Sequence, residues 1–252
     1  MLKYVGRIPI KGFTDTIELF PIGDMHIGHK SFQEKSLQKY IDYIYKVDNA
    51  FMALMGDEIE AEIPSYSGRW GYEQEYLLDE QLEKLYGVFK PLADKGKILT
   101  KVSSTHTGWT KKLTGHDIDK EMAEKLNANY LGIGGHWKIK TGEKEYTVYQ
   151  QHGSSGSKYP QYELLKALEI YPSADVVLLG HIHQLDAKPY TKRYVYGDTE
   201  YDKTIWGIRT GAFVGEKEWA TEKMLPKCNI GAPKITFNSK RYAVDVELNG
   251  VE

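Results

Sequence analysis

Apolar positions fall into two rhythms along this chain, short runs that suit strands and longer stretches at helical spacing. Residues 16–23 (TIELFPIG) read as the first clear strand, ending at Asp24-Met25-His26. Over 31–47, Leu37, Tyr40, Ile41 and Ile44 recur at the spacing of an amphipathic helix. AFMALMG (50–56) is a compact apolar run bounded by polar residues, as expected of a strand buried on both faces, with Met52 and Met55 as core filling. A polar, glycine-containing loop over 63–74 leads into a predicted helix over 75–93, and 97–104 predicts a third strand. Asp117 is placed to cap a helix over 117–127, followed by a strand over 128–134. The runs 136–140 and 145–152, separated by Thr-Gly-Glu-Lys, predict a hairpin. A helix over 161–171 and an apolar strand over 174–180 follow.

Helical signals then become scarce. Residues 188–197, 203–213 and 234–248 alternate as mostly antiparallel strands would. The first part of the chain alternates strand and helix, and the part from about 184 onward is strand-rich. This order predicts an α/β (mixed α+β) fold, a two-sheet sandwich with helices outside it, in one domain spanning 1–252.

Composition narrows the classes without choosing among them. Of 252 residues, 41% are hydrophobic and 27% charged, the balance of a packed globular chain. Thirty-three basic residues against thirty-five acidic ones give a net charge of −2, which removes the bulk electrostatic case for a nucleic-acid or membrane partner and leaves room for a local basic strip. Lys188-Pro-Tyr-Thr-Lys-Arg-Tyr interleaves basic and aromatic residues, but on a strand-rich surface this reads as a solvated face. The single cysteine, Cys228, forms no intrachain disulfide and no cysteine zinc site, and reads as a half-buried small residue. No apolar run suits a signal peptide or a membrane span, so the expectation is a soluble, cytoplasmic protein.

The chemistry lies just beyond the end of each strand. Asp24 and His26 come after the first, Asp57 after the second, Thr105-His106 after the third, His152-Gly153 after the hairpin and His181-Ile182-His183 after the last apolar strand. Loops at the carboxyl ends of strands in open α/β sheets converge on ligands. Residues two apart on an extended chain point the same way, so Asp24 with His26, and His181 with His183, are expected to grip one object. Gly56 and Gly180 precede ligand positions, where the backbone must turn or approach closely. Carboxylate and imidazole donors without thiolate suit Mn, Fe, Zn, Co or Ni.

In order and spacing, Asp24-x-His26, Gly56-Asp57, His106, His152-Gly153 and Gly180-His181-x-His183 resemble the calcineurin-like metallophosphoesterase superfamily, and more loosely its phage-type members. The resemblance implies a β-sandwich flanked by helices and two divalent metals, the first held by Asp24, His26, Asp57 and His183. The second would be held by Asp57, His152 and His181, with Asp57 bridging. It implies hydrolysis of phosphate esters by a two-metal-activated hydroxide, with His106 protonating the leaving oxygen or holding the phosphate. The third block departs from the family. Where the family shows Gly-Asn-His, this chain has Ser104-Thr105-His106, so Thr105 stands in place of an amide ligand, as a weak metal contact or a residue behind one. The alternative alignment on His116-Asp117 is set aside because Asp117 looks like a helix cap.

Among the remaining residues, His29, Arg69 and Trp70 are candidates for substrate binding, Arg69 gripping phosphate and Trp70 stacking on a ring. Glu58 reads equally as support for the metal ligands or as a solvated loop residue, and His136 as an exposed or locally bonded histidine. The expected substrate is a phosphate ester, with nucleic acid or nucleotide as candidate carriers and diesters slightly ahead of monoesters. The competing reading is a non-catalytic, metal-binding scaffold of the same fold.

Overall fold

The strands form where alternate residues find apolar cover on both sides. In the computed structural model, residues 3–8, 16–62, 74–154, 161–215 and 227–251 are described. One six-stranded sheet runs β1 (Lys3–Ile8), β6 (Gly134–Thr141), β7 (Lys144–Gln151), β8 (Val176–Leu179), β10 (Thr199–Arg209), β9 (Asp186–Tyr196). The other runs β12 (Val244–Glu247), β11 (Lys234–Asn238), β2 (Thr16–Ile22), β3 (Ala50–Leu54), β4 (Ile98–Lys101), β5 (Asn129–Tyr130). Among the described residues, five helices accompany them: α1 (Glu34–Lys46), α2 (Leu78–Asp94), α3 (His106–Thr114), α4 (Ile118–Lys125) and α5 (Gln161–Ile170).

The period of two divides each strand between two cores. Ile17 and Leu19 of β2, Phe51 and Ala53 of β3, and Ile235 and Phe237 of β11 face Trp137, Ile139, Tyr146, Val148, Val176 and Leu178 of the opposite sheet. The other face of β2 and β3, with Phe20, Ile22, Met52 and Leu54, is covered by Leu37, Tyr40, Ile41 and Ile44 of α1 and by Leu85, Phe89 and Leu92 of α2. Tyr149, Val177, Leu179 and Ile205 are covered by Leu164, Ala167 and Leu168 of α5. Each such large side chain, fully buried, contributes about 1.5–3 kcal/mol. The result is a mixed α/β sandwich of two sheets with helices outside it. No helix among the described residues is long and apolar enough to cross a membrane.

Both sheets are mixed, and their parallel parts set the site. β2, β3, β4 and β5 run parallel in one sheet, and β7, β8 and β10 in the other, so their carboxyl ends gather at one rim of the sandwich. The strand expected over 128–134 divides in two, its first residues forming β5 and Gly134 opening β6, which pairs with β7 as the hairpin. The strand expected over 97–104 stops at Lys101, and α3, which the apolar pattern did not predict, begins at His106.

Candidate metal centre

Asp24, His26, Asp57, His152, His181 and His183 leave the ends of β2, β3, β7 and β8 and meet at this rim. Their loops are bonded to one another as well as to the strands. Asp24 N donates to Gly56 O at 2.9 Å, His26 N to Asp57 O at 3.0 Å, Gly180 N to His152 O at 2.8 Å and Phe213 N to Asp24 O at 3.0 Å. Glycine is needed where these loops touch. A Cβ on Gly56 would sit 2.7 Å from His152 Nδ1, and one on Gly180 would sit 2.9 Å from Asp24 Oδ2.

Convergence does not come from the extended chain expected of Asp24-x-His26 and His181-x-His183. Asp24, His26, Asp57, His181 and His183 all have positive φ, between 49° and 73°. Left-handed turns at these five residues replace the extended geometry expected of the two pairs and aim the side chains inward. Such conformations cost a non-glycine residue of order 1–3 kcal/mol each and persist where surrounding structure enforces them, as at functional sites.

The donor atoms form three close groups. Asp24, His26 and His183 make one, Asp57, His152 and His181 another, and His26, Asp57 and His106 a third between them, with ligand atoms within 4.8 Å of one another in each. His26 Nε2 lies 3.3 Å from His183 Nε2, which is 3.2 Å from Asp24 Oδ1. His152 Nε2 lies 3.0 Å from Asp57 Oδ2 and 3.3 Å from His181 Nδ1. Ligands at about 2.1 Å from a cation in tetrahedral or octahedral geometry stand about 3.0–3.4 Å apart. The four spacings fall in that range. Asp24 Oδ1 is buried and accepts no hydrogen bond, a cost that a cation would remove. The residues fit bound metal.

The histidines are also held from behind. His26 Nδ1 is 2.7 Å from Glu60 Oε2, and His152 Nδ1 is 2.7 Å from Met55 O. Each partner is an acceptor, so each Nδ1 carries the proton and Nε2 offers its lone pair inward, the arrangement by which proteins orient imidazole ligands. The neighbouring charges agree. Burial opposes ionisation of Asp57, yet His152, His106 and His26 hold its carboxyl well below the usual range, and Asp24 is lowered against burial by His183 and His152. Burial alone would lower His152 and His183, but Asp57 and Asp24 raise His152 to about 10, and Asp24 raises His183 to about 9. His181 is pushed down by burial and by His152.

His106 opens α3 beside this cluster. Its Nδ1 faces the carbonyl of Glu60, its ring stacks on Trp109 at 4.8 Å, and it meets the His26 ring at 4.7 Å. The amides of Thr105 and His106 donate to Asp57 Oδ1 at 2.8 and 3.1 Å. The Thr105 contact to the site is a backbone one, its amide donating to Asp57 Oδ1. His116 is distant in kind: exposed, it pairs with Glu121 at 2.9 Å, while Asp117 caps α4 by accepting from Lys120 N.

Beneath the site lies a buried ionic network that sequence reasoning missed. Lys101 Nζ sits 2.6 Å from Glu58 Oε2 and 2.8 Å from Asp119 Oδ1, with Lys101 and Glu58 fully buried. Ser104 Oγ accepts from Asp57 N at 2.9 Å and donates to Asp119 Oδ1, while Glu58 Oε1 accepts from Gly56 N at 3.0 Å. Burial raises the Glu58 carboxyl against the pull of Lys101; burial would lower Lys101, but Asp119 and Glu58 raise it. Glu58 is therefore a buried prop for the Asp57 turn, and the solvated-loop alternative falls away. The available signal was a lone lysine inside the apolar strand ILTK.

The substrate candidates fare unequally. His29 is buried, its Nδ1 accepting from Ser31 N at 3.0 Å, and stands outside the donor groups. Arg69 and Trp70 lie outside the described residues. His136 is half-buried against Tyr149 and Tyr171, and burial lowers its pKa. The basic stretch after Asp186 is β9, where Lys188 pairs with Asp186 and Arg193 with Asp202, as a solvated face would. Cys228 is half-buried as expected, but its Sγ lies 3.4 Å from His183 Nδ1, a contact no sequence pattern announced.

No family model matches the chain, and no curated protein matches it. Solved structures similar over most of both chains include a predicted phosphoesterase from Streptococcus pneumoniae, at 13% identity and a TM-score of 0.41, covering 94% of this chain and 93% of that one. Vps29 from Entamoeba histolytica complexed with zinc is 14% identical at a TM-score of 0.42, covering 92% of this chain and 97% of its own. Vacuolar Protein Sorting 29 from Cryptosporidium parvum is 12% identical at 0.41, covering 94% and 97%. At TM-scores below 0.5 these likenesses say nothing about activity.

Proposed function

We propose that the chain is a metal-dependent hydrolase of phosphate esters, with diesters, nucleic acids and nucleotides among them, ahead of monoesters. The observation that carries this reading is the spacing of 3.0–3.3 Å between inward-facing carboxylate and imidazole donors. Asp24, His26, Asp57 and His183 would hold one divalent cation, of Mn, Fe, Zn, Co or Ni, and Asp57, His152 and His181 the second. Bound there, such cations supply Lewis acidity toward phosphoryl oxygen and acidify water to a nucleophile. Asp57 is prepared for sharing, because the amides of Thr105 and His106 fix Oδ1 and leave Oδ2 turned toward His152.

His106 is the acid. Its Nδ1–H is spent on the Glu60 carbonyl and its ring is steadied by Trp109, so Nε2 is the atom that gives a proton to the leaving oxygen. A second reading, a metal-binding scaffold without turnover, is favoured only by Thr105, a hydroxyl residue where the resemblance calls for an amide ligand. Metal analysis after loading with Mn²⁺, followed by assays on bis(p-nitrophenyl) phosphate and p-nitrophenyl phosphate, separates the readings. The expected result is two bound metals and hydrolysis of the diester. Two metals with no hydrolysis of either ester would establish the scaffold, and no metal uptake would sink the metal centre itself.

A further inference from the structure

One histidine of the centre, His183, is held by a segment some distance along the chain. Its Nδ1 faces Cys228 Sγ at 3.4 Å, and the thiol in turn donates toward Gly215 O at 3.8 Å. The next residue grips the backbone of the same loop. Asn229 N donates to His183 O at 2.8 Å, and Asn229 Oδ1 accepts from Leu185 N at 3.0 Å. Asn229 O accepts from Ala212 N at 2.9 Å, and the packing is close enough that a Cβ on Gly211 would stand 2.5 Å from both Asn229 O and Gly231 O. His183 itself is held at a φ of 59°, so its loop needs outside support.

We infer that Cys228 and Asn229 form a latch that positions His183 as a metal ligand, with the Cys228 sulfur accepting the Nδ1 proton and so turning the Nε2 lone pair inward. This rests on the metal-centre reading above. The sulfur is a positioning group and not a ligand, because it lies on the Nδ1 side of the ring, while Nε2 faces Asp24 Oδ1 and His26 Nε2. Asp24 Oδ1, buried and without a hydrogen-bond donor, marks where the ligand belongs on the opposite side of that imidazole. The latch plays for His183 the part that Glu60 plays for His26 and the Met55 carbonyl for His152.

The consequence is a metal centre sensitive to the state of one thiol. Partners of this kind are worth about 10–100-fold in metal affinity. The test is titration of the full chain with Co²⁺, followed by calorimetry and by the visible absorption of the bound ion, which reports ligand geometry. Cys228→Ala is expected to weaken the site that His183 serves about 10- to 100-fold and to alter its absorption. Cys228→Ser, which keeps an acceptor, should recover most of both, which mere loss of packing would not predict. Should Cys228→Ala fold poorly by thermal melting, methyl methanethiosulfonate on the unaltered chain replaces it: blocking the thiol should weaken Co²⁺ binding, and dithiothreitol should restore it. A Cys228→Ala protein, or a fully blocked one, with unchanged affinity and spectrum would overturn the latch and leave the metal centre standing. An unaltered chain that takes up no Co²⁺ would overturn both.

Discussion

The two halves of the centre are built to different standards. Around Asp24, both imidazoles have partners behind them, Glu60 for His26 and Cys228 for His183, and Asp24 Oδ2 accepts from His181 N at 2.9 Å. Around Asp57, His152 has the Met55 carbonyl, but no partner stands behind the His181 ring among the described residues, and Thr105 donates a backbone amide to the Asp57 carboxylate. A ligand already held in its binding pose loses less entropy on coordination. The difference therefore predicts ordered loading, the Asp24 half first and tightly, the Asp57 half second and more weakly.

Asp57 is where the comparison can be broken outright, since the proposed function makes it the one donor shared by both halves. Asp57→Ala is expected to remove both metals and all measurable turnover. It also strands the amides of Thr105 and His106, at about 1–3 kcal/mol for each unsatisfied donor, so Asp57→Asn, which keeps an acceptor, is the milder check. Two metals retained by elemental analysis of either variant would show that Asp57 is no bridge. His106→Ala should spare both halves and lower turnover about 10²–10⁴-fold, less for esters with good leaving groups. Loss of a metal instead would mean that the third donor group, His26 with Asp57 and His106, is a coordination set.

The contrast between the halves was only partly legible in the sequence. Strand ends carrying Asp24, His26, Asp57, His152, His181 and His183 were readable because each comes after an apolar run whose period and length are local properties. The props behind them were not. Glu60, Lys101 and Asp119 are charged, and charge in a single sequence signals solvent; only their pairing in three dimensions shows them buried. α3 was invisible because HTGWTKKLT carries no apolar stripe, and its start is fixed by tertiary bonds from Thr105 and His106 to Asp57. Left-handed turns at five non-glycine ligands contradict local preference, so no propensity argument finds them.

Glu60→Gln sharpens the comparison from the well-built side. It removes the charge behind His26 and should weaken the first metal about 10–100-fold, leaving the second nearly unchanged in a two-site titration. An equal loss at both sites would mean that Glu60 serves the whole cluster. Proton competition should act on both halves, because each holds one imidazole raised above neutrality, His183 to about 9 and His152 to about 10. A cation displaces that proton, so apparent affinity should rise about tenfold per pH unit as pH climbs toward 9. Calorimetry in buffers of different ionisation heat should find about one proton released per metal. A flat pH profile would show that those imidazoles are already neutral.

The smallest effect is expected at Thr105, on the poorly built side. Thr105 precedes α3 with φ −76° and ψ −49°, and its hydroxyl makes no capping bond. An asparagine there has two uses for its amide oxygen. It can accept from a free amide in the first turn of α3, as capping asparagines do, for about 0.5–2 kcal/mol of stability. Or it can turn toward Asp57, His152 and His181 and complete the second cation's ligand set. The backbone amide at 105 is already committed to Asp57 Oδ1, which keeps the Cα close to that cluster and favours coordination. Thr105→Asn is therefore expected to tighten the second metal several-fold while leaving the first unchanged, and to raise activity at limiting metal. A higher melting temperature without metal, accompanied by no change in the second affinity, would mean that the side chain caps the helix, and the weakness of that half would then lie behind His181.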